Sequence, residues 1–417
     1  MKDLLTGFSN KKGSFAIFAV MAFTAMLIML AAAISASSNV AIGSVTDCFG
    51  RLWGKSLLSE YDVYLKERYG ILGFQGDEAS IEKKLKMYID YSFAEKDYVN
   101  YKDVDCQLED YTLIKTENLK SEIEKIVKSG FKPKVEEDKN KIEDYEDRYI
   151  SNNWIIQGLP SYGKTEKTYF SGVINKIKAG IGINEMIGNI AADKYILTFF
   201  KDCVDKRDLK DTYFNCEVEY IISGELSDLR AKKETRSKLK LLRNSLNLYY
   251  LYTCTEKREG ALTLATAITP GPAAVLTQAV ILEMWAYAEA ENDMKILYDK
   301  KTVPLLKNDS NWALSIENVF GSSTEEAEAK LNQQSEEESA QTNYVSPQTI
   351  EGQEYSKYLG ILLCGISEET KLLRIMDLIQ INMKYLYSDS FLLSDYNIGL
   401  NYQVTVNGRR HEFEEKY

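Results

Sequence analysis

FAIFAVMAFTAMLIMLAAAI, residues Phe15 to Ile34, decides how the chain is read, and Thr24 is its only polar side chain. About 20 consecutive apolar residues in a helix span the hydrocarbon core of a bilayer. Residues 14–35 are therefore expected to form a transmembrane helix, with the lipid bilayer as partner of Phe15–Ile34. Lys2, Lys11 and Lys12 outweigh Asp3 ahead of the run, and basic flanks stay on the cytoplasmic side. The expected topology is a single pass through the cell membrane, with residues 1–13 cytoplasmic and the long C-terminal part extracellular. A cleaved signal peptide is the competing reading, with Ser35-Ala36-Ser37 as a small-residue cut site. The apolar core exceeds the roughly 7–15 residues usual for such a peptide, which favours an uncut anchor.

No proline interrupts the chain from Ser14 to Arg68. Small residues follow the apolar run, and Leu57, Leu58, Tyr61, Tyr64 and Leu65 then share one helical face before Gly70. Residues 36–70 read as a helical extension of the anchor, a rod of about 80 Å at 1.5 Å per residue. Gly43, Gly50 and Gly54 speak against it, since each costs about 1 kcal/mol relative to alanine in a helix.

Composition suits an exported globular protein: 417 residues, 45% hydrophobic and 27% charged, enough for a sizeable core. The residues before Phe15 carry +2, so of the net charge of -11 the remainder holds -13. An acidic exterior argues against nucleic acid as a partner. The six cysteines (Cys48, Cys106, Cys203, Cys216, Cys254, Cys364) include no CxxC, and no metal site is expected from them. Cys203 and Cys216 leave a disulfide open, with separate buried thiols as the favoured reading. His411 is the single histidine, which confines any imidazole chemistry to one residue.

Beyond residue 70 helix and strand signals alternate. Helices are expected over Ala79–Lys96, Glu117–Ser129, within Lys167–Val204 and over Ser227–Thr255; strands over Val104–Ile114 and Phe214–Ser223 (FNCEVEYIIS). Lys132–Asp147 reads as a charged loop, and residues 321–353, poor in large apolar side chains, as a disordered insertion. Pro270-Gly271-Pro272 divides a second hydrophobic stretch, Ala261–Ala288. Its part Ala273–Leu282 is too short to span a membrane and is expected to be a buried core helix. Near the C-terminus, Tyr402–Val406, Asn407-Gly408 and Arg409–Phe413 form a hairpin signature. The hairpin should dock on one of the two strands above, because two strands alone are marginal in water. The fold class is α+β, residues 71–417 forming one extracytoplasmic domain of helices on a mainly antiparallel sheet.

The sharpest chemical motif is GLPSYGKT, Gly158 to Thr165. It satisfies G-x-x-x-x-G-K-[ST], in which backbone N–H groups would cradle phosphates around Gly158 and Gly163. Lys164 would reach the β/γ-phosphates and Thr165 would hold Mg²⁺. A short strand candidate, Trp154–Gln157, precedes it. Three observations oppose a cofactor there: the exterior location, the lack of a clean second aspartate (Tyr195–Asp202 reads as helical), and the lack of a parallel-sheet pattern. A turn before a helix explains the same residues. Gly180-Ile181-Gly182 is half a dinucleotide fingerprint, with Glu185 where a third glycine belongs, and is set aside. Glu283, Glu289, Glu291 and Asp293 surround Trp285. They suit a hard cation or an acid–base pair, but solvated helix charges are the plainer expectation. Arg374 and Asp377 are spaced to pair on a helix.

Several segments together carry a resemblance. SLLSEYDVYLKERYGIL (Ser56–Leu72) follows the anchor GSFAIF, and CEVEYIISG (Cys216–Gly224) precedes a helix with LLRNSLNLYYL. WAYAEA (Trp285–Ala290) leads to KKTVPLLK (Lys300–Lys307) and Trp312, and RIMDLIQINM (Arg374–Met383) comes near the end. This ordered set resembles an uncharacterised membrane-protein family of Gram-positive bacteria found beside tight-adherence (Tad, or Flp) pilus genes, and is similar to the TadE/TadG-like pseudopilins. The resemblance covers nearly the whole chain outside Glu325–Gln348. It implies a non-enzymatic part of a pilus or secretion apparatus, with other pilus or pseudopilin subunits and the membrane assembly platform as partners. Gly13-Ser14 stands where a prepilin peptidase would cut, but Phe18 replaces the glutamate usual at the fifth position, so an uncut chain is expected. The alternatives from other classes are a P-loop enzyme using Gly158–Thr165 and a membrane-anchored receptor for an extracellular ligand.

Overall fold

The computed structural model describes residues 6–93, 98–133, 147–164, 170–179, 190–204, 212–332 and 343–417. In chain order the helices are α1 (Thr6–Leu58), α2 (Val63–Tyr69), α3 (Glu78–Phe93), α4 (Thr116–Ser129), α5 (Asn153–Gln157), α6 (Phe170–Lys178) and α7 (Ala191–Phe199). They continue as α8 (Glu217–Ser223), α9 (Asp228–Thr253), α10 (Thr255–Ile268), α11 (Ala274–Tyr298), α12 (Ile316–Phe320), α13 (Thr324–Asn332), α14 (Tyr355–Leu363) and α15 (Glu368–Leu386). The strands are β1 (Phe74–Gln75), β2 (Tyr101–Gln107), β3 (Tyr396–Asn397), β4 (Gly399–Val406) and β5 (Arg409–Lys416). The fold is α+β, with antiparallel sheets. The chain divides into two units: residues 1–62, 72–113 and 394–417 make the first, and residues 63–71 and 114–393 the second. The anchor extension and the C-terminal hairpin therefore share one unit, where the sequence suggested a rod followed by one domain.

In the first unit α1 changes character along its length. Phe15 to Ile34 is exposed on every side, and this is the one helix among the described residues long and apolar enough to cross a membrane. From Ile42 onward a single stripe is buried: Ile42, Thr46, Gly50, Trp53 and Leu57, at helical spacing. Gly50 and Gly54, which weakened the helix reading, are what let the sheet approach. A Cβ on Gly50 would lie 2.1 Å from the Phe413 ring, and one on Gly54 would lie 2.6 Å from Glu415 Cγ. Tyr402 donates its hydroxyl hydrogen to the Gly50 carbonyl, and His411 Nδ1–H bonds Asp47 Oδ1 at 2.6 Å. The helix stops at Leu58, short of Gly70. Ser59 and Glu60 close the last turn onto Lys55 and Leu57, and the Tyr64–Tyr69 periodicity belongs to the separate helix α2.

The sheet order is β2-β4-β5, all antiparallel. Leu400, Tyr402, Val404 and Val406 alternate inward from the central strand. Asn407 and Gly408 both have positive φ, 48° and 81°, as a type I′ turn requires. The hairpin docks on β2 as expected, though β2 ends at Gln107 and a 3₁₀ turn (Glu109–Tyr111) follows. Helix α3 adds Ile81, Leu85 and Ile89 to the same core, and its Phe93 ring meets Trp53 of α1 edge-on at 5.9 Å.

The second unit is helical around α15. Every residue of α15 from Lys371 to Met383 is buried, the mark of a helix surrounded by neighbours. Helix α4 ends as expected at Gly130, left-handed with φ 71°. Four expectations fail here. Phe214–Ser223 is a loop and the helix α8, not a strand, and Gly224 caps it at φ 79°. Its six buried residues, Glu217 to Ile222, form too short an apolar run for periodicity to decide. The helix brings Glu217 and Glu219 onto the Lys201 and Cys203 backbone amides. Trp154–Gln157 is the helix α5, started by the Asn152 side chain accepting from Trp154 N. The start of α11 is not buried core: Val275 is 64% and Leu276 74% exposed. Within residues 321–353, α13 is ordered, with Ala327 buried in the α10–α11 core. Gln353 exchanges backbone bonds with Val303. Ala327 and the partly buried Leu331 supply the contact with that core, too few apolar residues to give a pattern to read. Most of the Lys132–Asp147 loop, Gly180, Gly182, Glu185 and residues 333–342 lie outside the described residues.

Candidate functional site

The chemistry-bearing residues fall into three clusters of the second unit. The first contains the phosphate-loop lookalike. Gly158 follows the short helix α5 rather than a strand. Its amides serve internal carbonyls: Gly158 N to Trp154 O, Leu159 N to Ile156 O, Tyr162 N to Leu159 O and Lys164 N to Ser161 O. Ser161 N donates instead to Asp377 Oδ1 at 3.0 Å, so a carboxylate already stands on the loop. Gly163 is left-handed, φ 75°, which suits the turn reading. Lys164 reaches Glu369 Oε1 at 3.0 Å across an exposed surface, the two side chains 54% and 65% accessible. Thr165 lies outside the described residues. An exposed pair of this kind is worth at most about 1 kcal/mol. Lys164→Ala is therefore expected to leave the denaturation midpoint of the purified chain within about 1 kcal/mol of the original. Magnesium-dependent ATP binding that this substitution abolishes would restore the enzyme reading.

Asp377 opens the second cluster, a polar series on α15. Lys371, Arg374, Asp377 and Gln380 stand three residues apart. With 3.6 residues per turn, each step falls short of a full turn by about 60°. The series therefore spirals half-way round the helix and reaches a different neighbour each time. Lys371 Nζ meets Asp193 Oδ1 of α7 at 2.5 Å. Arg374 Nη1 donates to Ile221 O of α8 at 2.6 Å. Asp377 Oδ2 accepts from Tyr220 Oη at 2.7 Å, and Gln380 joins Gly158 O to Leu393 N. Asn382 adds Glu217, Tyr69 and Tyr213 N. Burial pushes Asp377 above the ordinary carboxylate range, while Ser161 and Tyr220 pull it back. Arg374 and Asp377 each carry further hydrogen-bonding duties, and the Arg374 charge favours the ionised form of Asp377. These are clamps between elements. Lys371, Asp193 and Gln380 escaped sequence reasoning, and the one available signal was polar residues inside an otherwise apolar helix.

The third cluster corrects the reading of the α11 acids as solvated. Helices α9 and α11 lie in antiparallel order: Lys240 reaches Glu291 and Tyr287, and Asn244 reaches Glu283. Between them Arg243, Asp293, Lys307 and Glu289 are wholly or almost wholly buried. Arg243 Nε donates to Asp293 Oδ2 at 3.0 Å, and its Nη1 donates to the Pro304 and Leu305 carbonyls. Lys307 Nζ lies 2.6 Å from Asp293 Oδ1 and also bonds Glu289. Glu289 accepts from the Ala313 and Leu314 amides. Burial alone would raise Asp293, but Lys307 and Arg243 outweigh it and hold the carboxyl below its ordinary range. Two cations and two carboxylates thus neutralise one another. Trp285 packs edge-on against Trp312 at 5.6 Å beside this quartet, whereas Tyr287 is half-exposed.

None of the six cysteines is in a disulfide. Cys203 and Cys216 are nevertheless neighbours, not separate thiols.

No curated protein and no solved structure matches the chain. A family model does, over residues 109–408, which takes in all three clusters and leaves out the apolar helix. That span is well over half of the sequence, and the chain belongs to DUF5702, a family of unknown function.

Proposed function

We propose that the chain is a non-enzymatic, pseudopilin-like component of a Tad (Flp)-type pilus or secretion apparatus, anchored by one N-terminal helix and acting through protein contacts. The observation that carries this reading is the division of α1. Its first part is apolar and exposed all round, and its second part is built into a sheet. A helix of that kind can rest in a bilayer or pack against like helices in a filament while holding a folded head at its end. In this reading the N-terminus is cytoplasmic and both units are extracellular, as the lysines ahead of the apolar run favour.

The test has two arms in living cells. In a chain whose exposed native Cys48 is replaced by serine, Lys86→Cys should react with a membrane-impermeant maleimide on intact cells; reaction only after lysis would put the unit inside. Deleting the gene should abolish surface filaments, and the full-length copy should restore them. Filaments of undiminished number in the deletion strain would sink the pilus assignment.

A further inference from the structure

We propose that Cys203, Cys216 and Glu219 form a zinc-binding site in the second unit. Cys216 is the residue that starts α8 and Glu219 lies one turn further on. Cys203 arrives from the segment after α7. One ligand atom from each lies within 4.8 Å of the other two. Cys216 and Glu219 have no solvent exposure.

The carboxylate points to a missing partner. Glu219 Oε1 accepts twice, from Cys203 N at 3.1 Å and from Tyr355 Oη at 2.9 Å. Oε2 is buried and has no hydrogen-bond partner. A buried acceptor left so is costly, and a cation on Oε2 would relieve it. Tyr355 and the Cys203 amide occupy Oε1, which leaves Oε2 to the cation. The donor set selects the cation. Two thiolates and one carboxylate suit zinc, whereas calcium and magnesium ask for oxygen alone. With bonds of about 2.3 Å to sulfur and about 2.0–2.2 Å to oxygen, tetrahedral ligand atoms stand roughly 3.5–3.8 Å apart. Side-chain rotation of about an ångström closes the site. Three protein ligands leave the fourth position to water.

This inference stands independently of the pilus reading.

The experiment uses the full chain, extracted in mild detergent, reduced with a phosphine and incubated with zinc chloride. One zinc per chain should survive gel filtration, measured by elemental mass spectrometry. Cobalt(II) in its place should give a thiolate-to-metal charge-transfer band. Zinc at a hundredfold over its dissociation constant should raise the melting temperature by about 5–10 °C. Cys203→Ser and Glu219→Gln should each weaken binding by about tenfold or more. The glutamine keeps the Oε1 hydrogen bonds and serves if the serine variant misfolds. A folded, reduced chain that retains no zinc would overturn the proposal, as would zinc retained equally by both variants. A Cys203–Cys216 disulfide in the protein as isolated from cells, seen as a loss of two mass units, would also overturn it.

Discussion

Asp293→Ala is expected to destabilise the second unit by about 3–5 kcal/mol, the usual result of removing one partner from a buried ion pair. The carboxylate takes Arg243 on one oxygen and Lys307 on the other. Its loss leaves two cations facing one carboxylate, Glu289, in a region without water access. Arg243 is additionally fixed to the Pro304 and Leu305 carbonyls and has no route to solvent. Hydrogen exchange resolved by mass spectrometry is the suitable measurement, because it reads α9 and α11 separately from the first unit. Their amides should lose several hundredfold or more of protection. The double change Arg243→Met with Asp293→Leu removes a neutral pair and should recover part of that loss. Unchanged exchange in Asp293→Ala would mean that the quartet is not closed to water.

Removing Asn401–Tyr417 is expected to abolish cooperative folding of the first unit, a loss of the order of its whole stability, about 5–15 kcal/mol for an ordinary domain. The deletion takes β5 and most of β4, the central strand to which β2 is bonded. It strips Tyr402 and Phe413 from the helix stripe around Gly50 and Trp53. Strand β2 would have no partner, and α3 would face an empty side. Limited proteolysis should cut the truncated chain within residues 72–113 and spare the intact one. A truncated chain whose first unit melts cooperatively at the original temperature would show the hairpin to be peripheral.

The parts of this fold that were legible in the sequence are those with local causes. Asn407-Gly408 demands its turn wherever the strands go, Gly130 ends α4 by itself, and α9 is long enough for its period to be unambiguous. The hidden parts depend on distant residues. Nothing near Glu289 announces Lys307 or Arg243, so those acids read as solvated until the helices are brought together. The same holds for Cys203 and Cys216, which the fold brings together from just after the end of α7 and the start of α8. Gly50 and Gly54 misled for a related reason: a helix propensity counts their missing Cβ as a loss, while Phe413 and Glu415 occupy the space it leaves. At 214–223 the β-branched composition favoured a strand, and contacts on all sides overrode it.

Helix α1 has no joint between the exposed apolar part and the part seated in the sheet. It is continuous from Thr6 to Leu58, and its lower reach and the hairpin belong to the same unit. The anchor therefore behaves as a shaft keyed to its head. Each residue of α1 advances about 100° around the axis. The azimuth of the hairpin about that axis is thus set by the number of residues between Ile34 and Ile42, and inserting one residue there would turn the hairpin by about 100° relative to the apolar part.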